Sequence, residues 1–322
     1  MGSEAQRLII IGDVGIDLVL GPLSTWPRVG TETVLEHSEL RAGGSAGNAA
    51  LAVSYLGGAS RLLSVVGNDD LGSWLQGQFQ GLGASLQVCD AATTLTVGLI
   101  HSCGERTFFT TRGHLDKLSY EILRPRLTPA PHSNSIALLS GAFLTPALRR
   151  EYPRLIRDLS ALGFSVALDT NWPPEDWDAG LRAEVTSWIA RCDHILLNEL
   201  ELASWADSTD LTVAIDRVTP QLKPGATLVV KAGARGAVGV QGGRRFDCAA
   251  PTATIFDTIG AGDSFNAGYL LARLNGCPLY DALAAGCNTA STIIARFPRR
   301  SIRRGELAER LAAFVPLRAE AT

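Results

Sequence analysis

No apolar run among the 322 residues approaches the length needed to cross a bilayer. The opening MGSEAQRLIIIG lacks the charged segment, long apolar segment and cleavage site of a secretory leader. Gln6 stands where a myristoylation signal on Gly2 requires Ser or Thr. These absences point to the cytosol. Strong charge of one sign is missing too. The net charge is −3, and the one basic cluster, RFPRRSIRR, is short and reads as a solvated surface. Neither nucleic acid nor a membrane is therefore an expected partner. Cys89, Cys103, Cys192, Cys248, Cys277 and Cys287 form no C-x-x-C pair and no zinc spacing, and the five histidines form no H-E-x-x-H. Reduced, mostly buried thiols and no structural zinc are expected. Two nucleotide signatures are lacking as well. There is no G-x-x-x-x-G-K-[ST] loop, and the first strand runs into GDVGIDLVL, which has no G-x-G-x-x-G and continues as strand. That argues against a Rossmann dehydrogenase, so any nucleotide has to be held by other loops.

What is present fits a globular protein with a sizeable core: 46% of residues are apolar and 19% charged, over a length that suits one large α/β domain. Short apolar runs at 7–12, 60–67, 135–141, 165–171, 194–199 and 227–233 read as strands. Between them lie helical patterns such as 46–57 and 146–163; in the latter Leu148, Tyr152, Leu155, Ile156 and Leu159 share one face. This alternation predicts a mostly parallel central sheet with helices on both faces. Two segments break the rhythm. Residues 17–42 alternate around GPLSTWPRVG, and 93–112 read as a hairpin turning at Cys103-Gly104-Glu105. Both have period 2, so together they predict a small β-sheet that folds over a ligand as a lid or pairs with a second copy as a homodimer. The whole of 1–322 is read as a single domain carrying this lid.

The stretch TIFDTIGAGDSFNAGYLLARL places Asp263 directly after Gly260, Ala261 and Gly262, where an apolar helix begins. Glycines there let successive N–H groups point into one concavity, and the helix adds its positive end, which together attract phosphate. A carboxylate beside such a concavity suits the removal of a proton from a hydroxyl attacking that phosphate. The same Asp could instead cap the helix.

DTIGAGDSFNAG closely resembles the C-terminal signature of the ribokinase-like (PfkB) carbohydrate kinase family. RAGGSAGNAALAVSYLG resembles its second signature, and NELE at 198–201 its Asn-x-x-Glu motif. The resemblance spans essentially the whole chain and implies a ribokinase-like fold and an ATP-dependent kinase using Mg2+. It makes Asp263 the catalytic base and Gly260, Ala261 and Gly262 the anion hole. Asp17, Gly43, Gly44 and Asn48 would bind the sugar. Asn198 and Glu201 would organise magnesium and the phosphates, largely through water. Lys231, Gly233 and Gly236 fall on nucleotide-contacting positions, and Asn288 on the helix that meets adenine. The family's monovalent-cation site, commonly K+, would take Asp257 and the Ile259 carbonyl, while its later ligands find no match near RFPRRSI. Read singly, Asp17 could cap a turn, Gly43-Gly44 could close a hairpin, and Glu201 could be an exposed acid at a helix start.

The acceptor is less sharply marked. Relatives acting on phosphorylated sugars commonly carry Lys in G-G-K-G, where this chain has Ser45. A neutral or carboxylated, non-phosphorylated acceptor is therefore favoured, although Arg28, Arg106 and Arg112 lie in or near the lid. LDTNWPPEDW matches the Asp-x-Asn-x-Arg of the fructokinase and ketodeoxygluconate-kinase branches at Asp169 and Asn171, but Pro173 replaces the Arg. Trp172 and Trp177 are expected to pack. A nucleoside kinase of the same fold and a catalytically silent sugar- or nucleotide-binding scaffold are the alternatives.

Overall fold

The computed structural model describes residues 7–173 and 177–314. Thirteen strands appear among them: β1 (Leu8–Gly12), β2 (Gly15–Leu23), β3 (His37–Gly43), β4 (Arg61–Gly67), β5 (Ala84–Cys89), β6 (Leu95–His101), β7 (Arg106–Thr110), β8 (Ile136–Ser140), β9 (Ser165–Asp169), β10 (His194–Asn198), β11 (Thr227–Lys231), β12 (Ala237–Gln241) and β13 (Arg244–Cys248). Nine form one sheet in the order β13-β12-β11-β10-β9-β8-β1-β4-β5. All neighbours from β11 to β5 run parallel, and the β12–β13 hairpin adds antiparallel strands at one end.

Parallel strands need crossover segments, and helices laid on both faces bury every position of the strands between them. The side chains divide accordingly. Leu8, Ile10, Leu138, Leu196 and Val229 pack with the helices Ser45–Tyr55, Ala261–Leu274 and Leu279–Ile294. Ile9, Ile11, Leu139, Leu197 and Val230 pack with Tyr152–Ala161, Ala179–Ile189 and Leu211–Val218. The six apolar runs read as strands all lie in this sheet. The pattern at 146–163 is interrupted, forming Pro146–Arg149 and then Tyr152–Ala161. Its five apolar residues are nonetheless all fully buried.

The hairpin of β12 and β13 escapes the sequence reading, although Gly242 and Gly243, both at positive φ, mark its turn. Its outer strand is charged, with an Arg245–Asp247 ion pair at 2.8 Å beside Arg244.

The remaining strands form a separate mixed sheet, β3-β2-β6-β7. Here β2 pairs antiparallel with β3 and parallel with β6, joining the two period-2 segments in one surface. Trp26, Phe108 and Phe109 of this region are at least half exposed.

Candidate active site

Three elements meet at the start of the helix Ala261–Leu274. Gly260 precedes it in the left-handed region (φ 74°), and no side chain caps the helix. The leading amides of a helix have no partner within it, so those of Gly262 and Asp263 are available to an anion. Asp263 lies inside the first turn, where it is buried and does not act as a cap. Its Oδ2 accepts a hydrogen bond from Asn48 Nδ2 at 3.1 Å. Asn48 is brought there by the helix Ser45–Tyr55, which packs beside Ala261–Leu274 through small residues such as Ala49, Ala50 and Ala267. Burial raises the Asp263 pKa well above the ordinary carboxylate range, and the neighbouring Asp169 adds to the rise. Lys231 and the Asn48 bond pull the other way.

Asp17 and Gly43 belong together. A Cβ on Gly43 would sit 2.1 Å from Asp17 Oδ2, so this close approach requires glycine. Asp17 is buried on β2, and burial first, with Asp13 and Asp257 adding, pushes its pKa up to about 6. Gly44 stands at φ 79° at the start of the helix Ser45–Tyr55, whose first amides, Ser45 and Ala46, donate to the buried Asp13 at 3.0 and 3.2 Å. Asp13 was missed by sequence reasoning, although it sits in the quoted GDVGID. Gly43-Gly44 thus ends a strand and opens a helix, and does not make a hairpin turn.

Asn198 and Lys231 close adjacent strands β10 and β11, where they are register partners. Lys231 Nζ donates to Asp169 Oδ2 at 2.6 Å and reaches Asn266 Oδ1 at 3.5 Å. Asn266 also donates to Asp169 Oδ2, at 2.5 Å. A Cβ on Gly262 would lie 3.3 Å from Lys231 Nζ, which places the ammonium against the glycine turn. Burial works against this ammonium, but Asp169 and Glu201 outweigh it and the Lys231 pKa is raised. Asn198 and Glu201 form a reciprocal capping box: Glu201 N donates to Asn198 Oδ1 at 2.9 Å and Asn198 N to Glu201 Oε2 at 2.8 Å. Glu201 is buried, not exposed, and burial followed by Asp169 raises its pKa. Asp169 and Asn266 are the site residues that motif matching undervalued, Asn266 because it lies one turn beyond the signature's carboxylate.

Gly233 and Gly236 shape the turn between β11 and β12. Asn288 stands on Leu279–Ile294 and donates to Ala284 O of its own helix. Among the described residues no hydrogen bond links these glycines or Asn288 to the cluster around Asp263.

The loop before the turn departs from expectation. Asp257 and the Ile259 carbonyl do converge, but on the guanidinium of Arg299. Its Nη1 donates to Ile259 O and its Nη2 to Asp257 O, with Asp257 Oδ2 at 3.3 Å. RFPRRSIRR is therefore not a wholly solvated surface, since Arg299 is 7% exposed. Arg106 of β7 donates to Thr258 O at 3.1 Å. Ile259 packs under β6, where a Cβ on Gly98 would come within 2.8 Å of it. Arg112 pairs with Asp116 and Arg28 is exposed. Trp177 packs edge-on against Phe143, whereas Trp172 is half exposed.

The chain also resembles known proteins over most of its length. Residues 5–300 match the profile of the pfkB family of carbohydrate kinases. A fructokinase of Klebsiella pneumoniae is 31% identical over 255 residues, covering 76% of this chain and 80% of the relative. A 2-dehydro-3-deoxygluconokinase of Escherichia coli K12 is 30% identical over 262 residues, covering 76% and 82%. Among solved structures, an Arabidopsis thaliana ribokinase complexed with ribose and ATP superposes with a TM-score of 0.74 at 18% identity, covering 97% of this chain and 99% of that one. The chain belongs to the pfkB family of carbohydrate kinases, and its fold is ribokinase-like.

Proposed function

We propose that this protein transfers the γ-phosphate of ATP to a hydroxyl of a neutral, non-phosphorylated sugar. The observation that carries the reading is the buried Asp263 beside an uncapped helix start, held by Asn48 through one oxygen only. That leaves Oδ1 to accept the sugar hydroxyl. Asp17, Gly43, Gly44 and Asn48 would orient the sugar, and Asp263 would take the hydroxyl proton as the new O–P bond forms and the bond to ADP breaks. The amides of Gly262 and Asp263, with Lys231, would hold the phosphoryl oxygens as charge shifts between them. A carboxylate with a raised pKa is the stronger base once ionised.

Among the described residues no cluster of three His, Cys, Asp or Glu side chains could hold a metal by itself. Magnesium keeps several waters and binds phosphate oxygens readily, so Glu201 and Asn198 fit a role through water. The ion would supply charge neutralisation at the phosphates. The β3-β2-β6-β7 sheet, which touches the turn through Arg106 and Ile259, would act as a lid that excludes water, the competing acceptor.

Charge favours the neutral acceptor. Asp17 and Asp263 line the sugar side, and the nearby cations Arg41 and Arg299 are engaged with Asp257. Pro173 leaves no guanidinium at the position the fructokinase and ketodeoxygluconate-kinase branches fill with Arg. The test is ADP release with ATP and magnesium across neutral sugars, sugar acids, phosphosugars and nucleosides, with Asp263→Asn as control. One strong neutral sugar, lost in the variant, is the expected result. A preference for phosphosugars or nucleosides would overturn the acceptor class, and ligand binding without turnover would favour a silent scaffold.

A further inference from the structure

The loop 256–260 shapes the approach to the glycine turn, and its polar groups converge on one side chain. Asp257 Oδ1 accepts from Ile259 N at 2.7 Å, which folds the loop back on itself. The carbonyls of Asp257 and Ile259 then face Arg299, each taking one of its two terminal nitrogens. Arg41 Nη1 lies 2.7 Å from Asp257 Oδ2 and 3.4 Å from Glu39 Oε2. The other Glu39 oxygen accepts from Arg300 N at 2.9 Å, which anchors the short turn Arg299–Ser301 against β3. Arg41, Glu39, Asp257 and Arg299 are all buried.

We propose that the Arg299 guanidinium is a built-in replacement for the monovalent cation at this loop, so that the protein orders its anion hole without potassium. Charge and geometry agree. Arg41 and Arg299 balance the carboxylates of Asp257 and Glu39, and both loop carbonyls that a cation would use already have a donor. Without Arg299 the set would carry one uncompensated negative charge and two unpartnered carbonyls, which is what a potassium ion satisfies. A guanidinium adds directed donors in a fixed plane, so it sets the spacing of the two carbonyls as well as their charge. A guanidinium is charged at neutral pH in proteins, so the replacement cation is permanent.

Arg299 is a positioning residue. It touches the loop, not the reacting atoms, and its effect on turnover rests on the reading of Gly260–Gly262 as the anion hole. A cavity of about 200 Å³ lined by Arg299, Asn48, Gly260 and Arg41 opens beside it and would admit a small cation once the side chain is removed. The test compares the native protein with Arg299→Ala and Arg299→Lys, in potassium chloride and in tetramethylammonium chloride at equal ionic strength. The native protein is expected to change less than about twofold in turnover and not at all in melting temperature. Arg299→Ala is expected to lose about 10- to 100-fold in turnover with little change in acceptor KM. It should also melt several degrees lower, and potassium or guanidinium should restore both. Arg299→Lys should fall between the two. A native protein that potassium stimulates tenfold overturns the proposal, whether or not the alanine variant folds. So does an alanine variant whose losses no cation repairs, or one that has no losses. The melting arms need no acceptor, so they decide the proposal even if the kinase reading fails.

Discussion

Two buried charge clusters flank the glycine turn, and they are built on opposite principles. Around Arg299, two arginines meet two carboxylates and the loop carbonyls are taken up. Around Asp263, three carboxylates (Asp169, Glu201 and Asp263) share the single ammonium of Lys231. In the first cluster the charges of these four groups balance and both loop carbonyls are occupied, although Arg41 Nη2 and Arg299 Nε are buried without a hydrogen-bond partner. The second carries excess negative charge, and the pKa values of Asp263 and Glu201 are raised first by burial and then by Asp169. A protein keeps such an excess where a cation-bearing ligand or a transferring proton will relieve it, and active sites are where perturbed groups concentrate. Lack of balance, more than the presence of charge, separates the two sides of the turn.

The largest break in this contrast should come from Asp263→Asn. It keeps the Asn48 contact geometry but removes the proton acceptor, and turnover should fall by roughly 10²–10⁴ with ATP affinity largely kept. Steady-state kinetics with calorimetric ATP binding would check it, and an unchanged turnover number would remove Asp263 from its role.

Lys231→Met tests the unbalanced cluster itself. Leaving Asp169 buried and unpaired should cost about 3–5 kcal/mol at neutral pH, read from urea denaturation. The deficit should shrink on acidification, because raised carboxylates in the folded state take up protons before those of the unfolded chain. If stability were unaffected at neutral pH, the ammonium would not be neutralising the cluster.

Asp17 sharpens the comparison by pH. Its folded pKa of about 6 lies above the ordinary 3.8, so the folded state holds this proton longer than the unfolded chain. Its burial therefore costs nothing below the ordinary value and destabilises progressively as pH rises from about 4 to about 6, by about 2–3 kcal/mol in total. Asp17→Asn should flatten the stability profile over that window and gain relative to the native protein above it, while losing acceptor affinity. Parallel profiles for the two proteins would refute the shift.

The smallest effect is expected at the lid. Gly98→Val would press on the flexible end of Ile259 and move the small sheet off the turn. We expect acceptor KM to rise a few-fold and ATP hydrolysis without acceptor to increase, with melting nearly unchanged. Kinetics identical to the native protein would mean that this sheet does not gate the site.

Much of this was legible in the sequence because buried parallel strands read as continuous apolar runs, and those runs gave six strands of the large sheet. Strand β5 was not legible: it lies at the sheet's edge, none of its residues is fully buried, and its apolar signal is diluted. Motifs named Asp263, Asn48, Lys231 and Glu201 because each lies within a short signature. The partners that set their chemistry lie elsewhere in sequence. Asp169 comes from β9, and the buried Arg299 looked like one of several surface arginines. Local sequence cannot tell a guanidinium that meets water from one that meets two carbonyls, since only the fold brings residues 257 and 299 together. Glu201 shows the reverse limit. Its reciprocal capping with Asn198 and its burial both come from the fold, and the motif alone could not tell a buried acid from an exposed one.

The charged outer strand of the β12–β13 hairpin has a consequence for the protein in concentrated solution. A sheet edge is a template for further strands, and this one presents Arg244, Arg245 and Asp247 to any newcomer. An added strand would have to line up against alternating fixed charges and strip them of water. Growth of the sheet from this end is thereby discouraged, so runaway strand addition should not begin there even when many copies fold side by side.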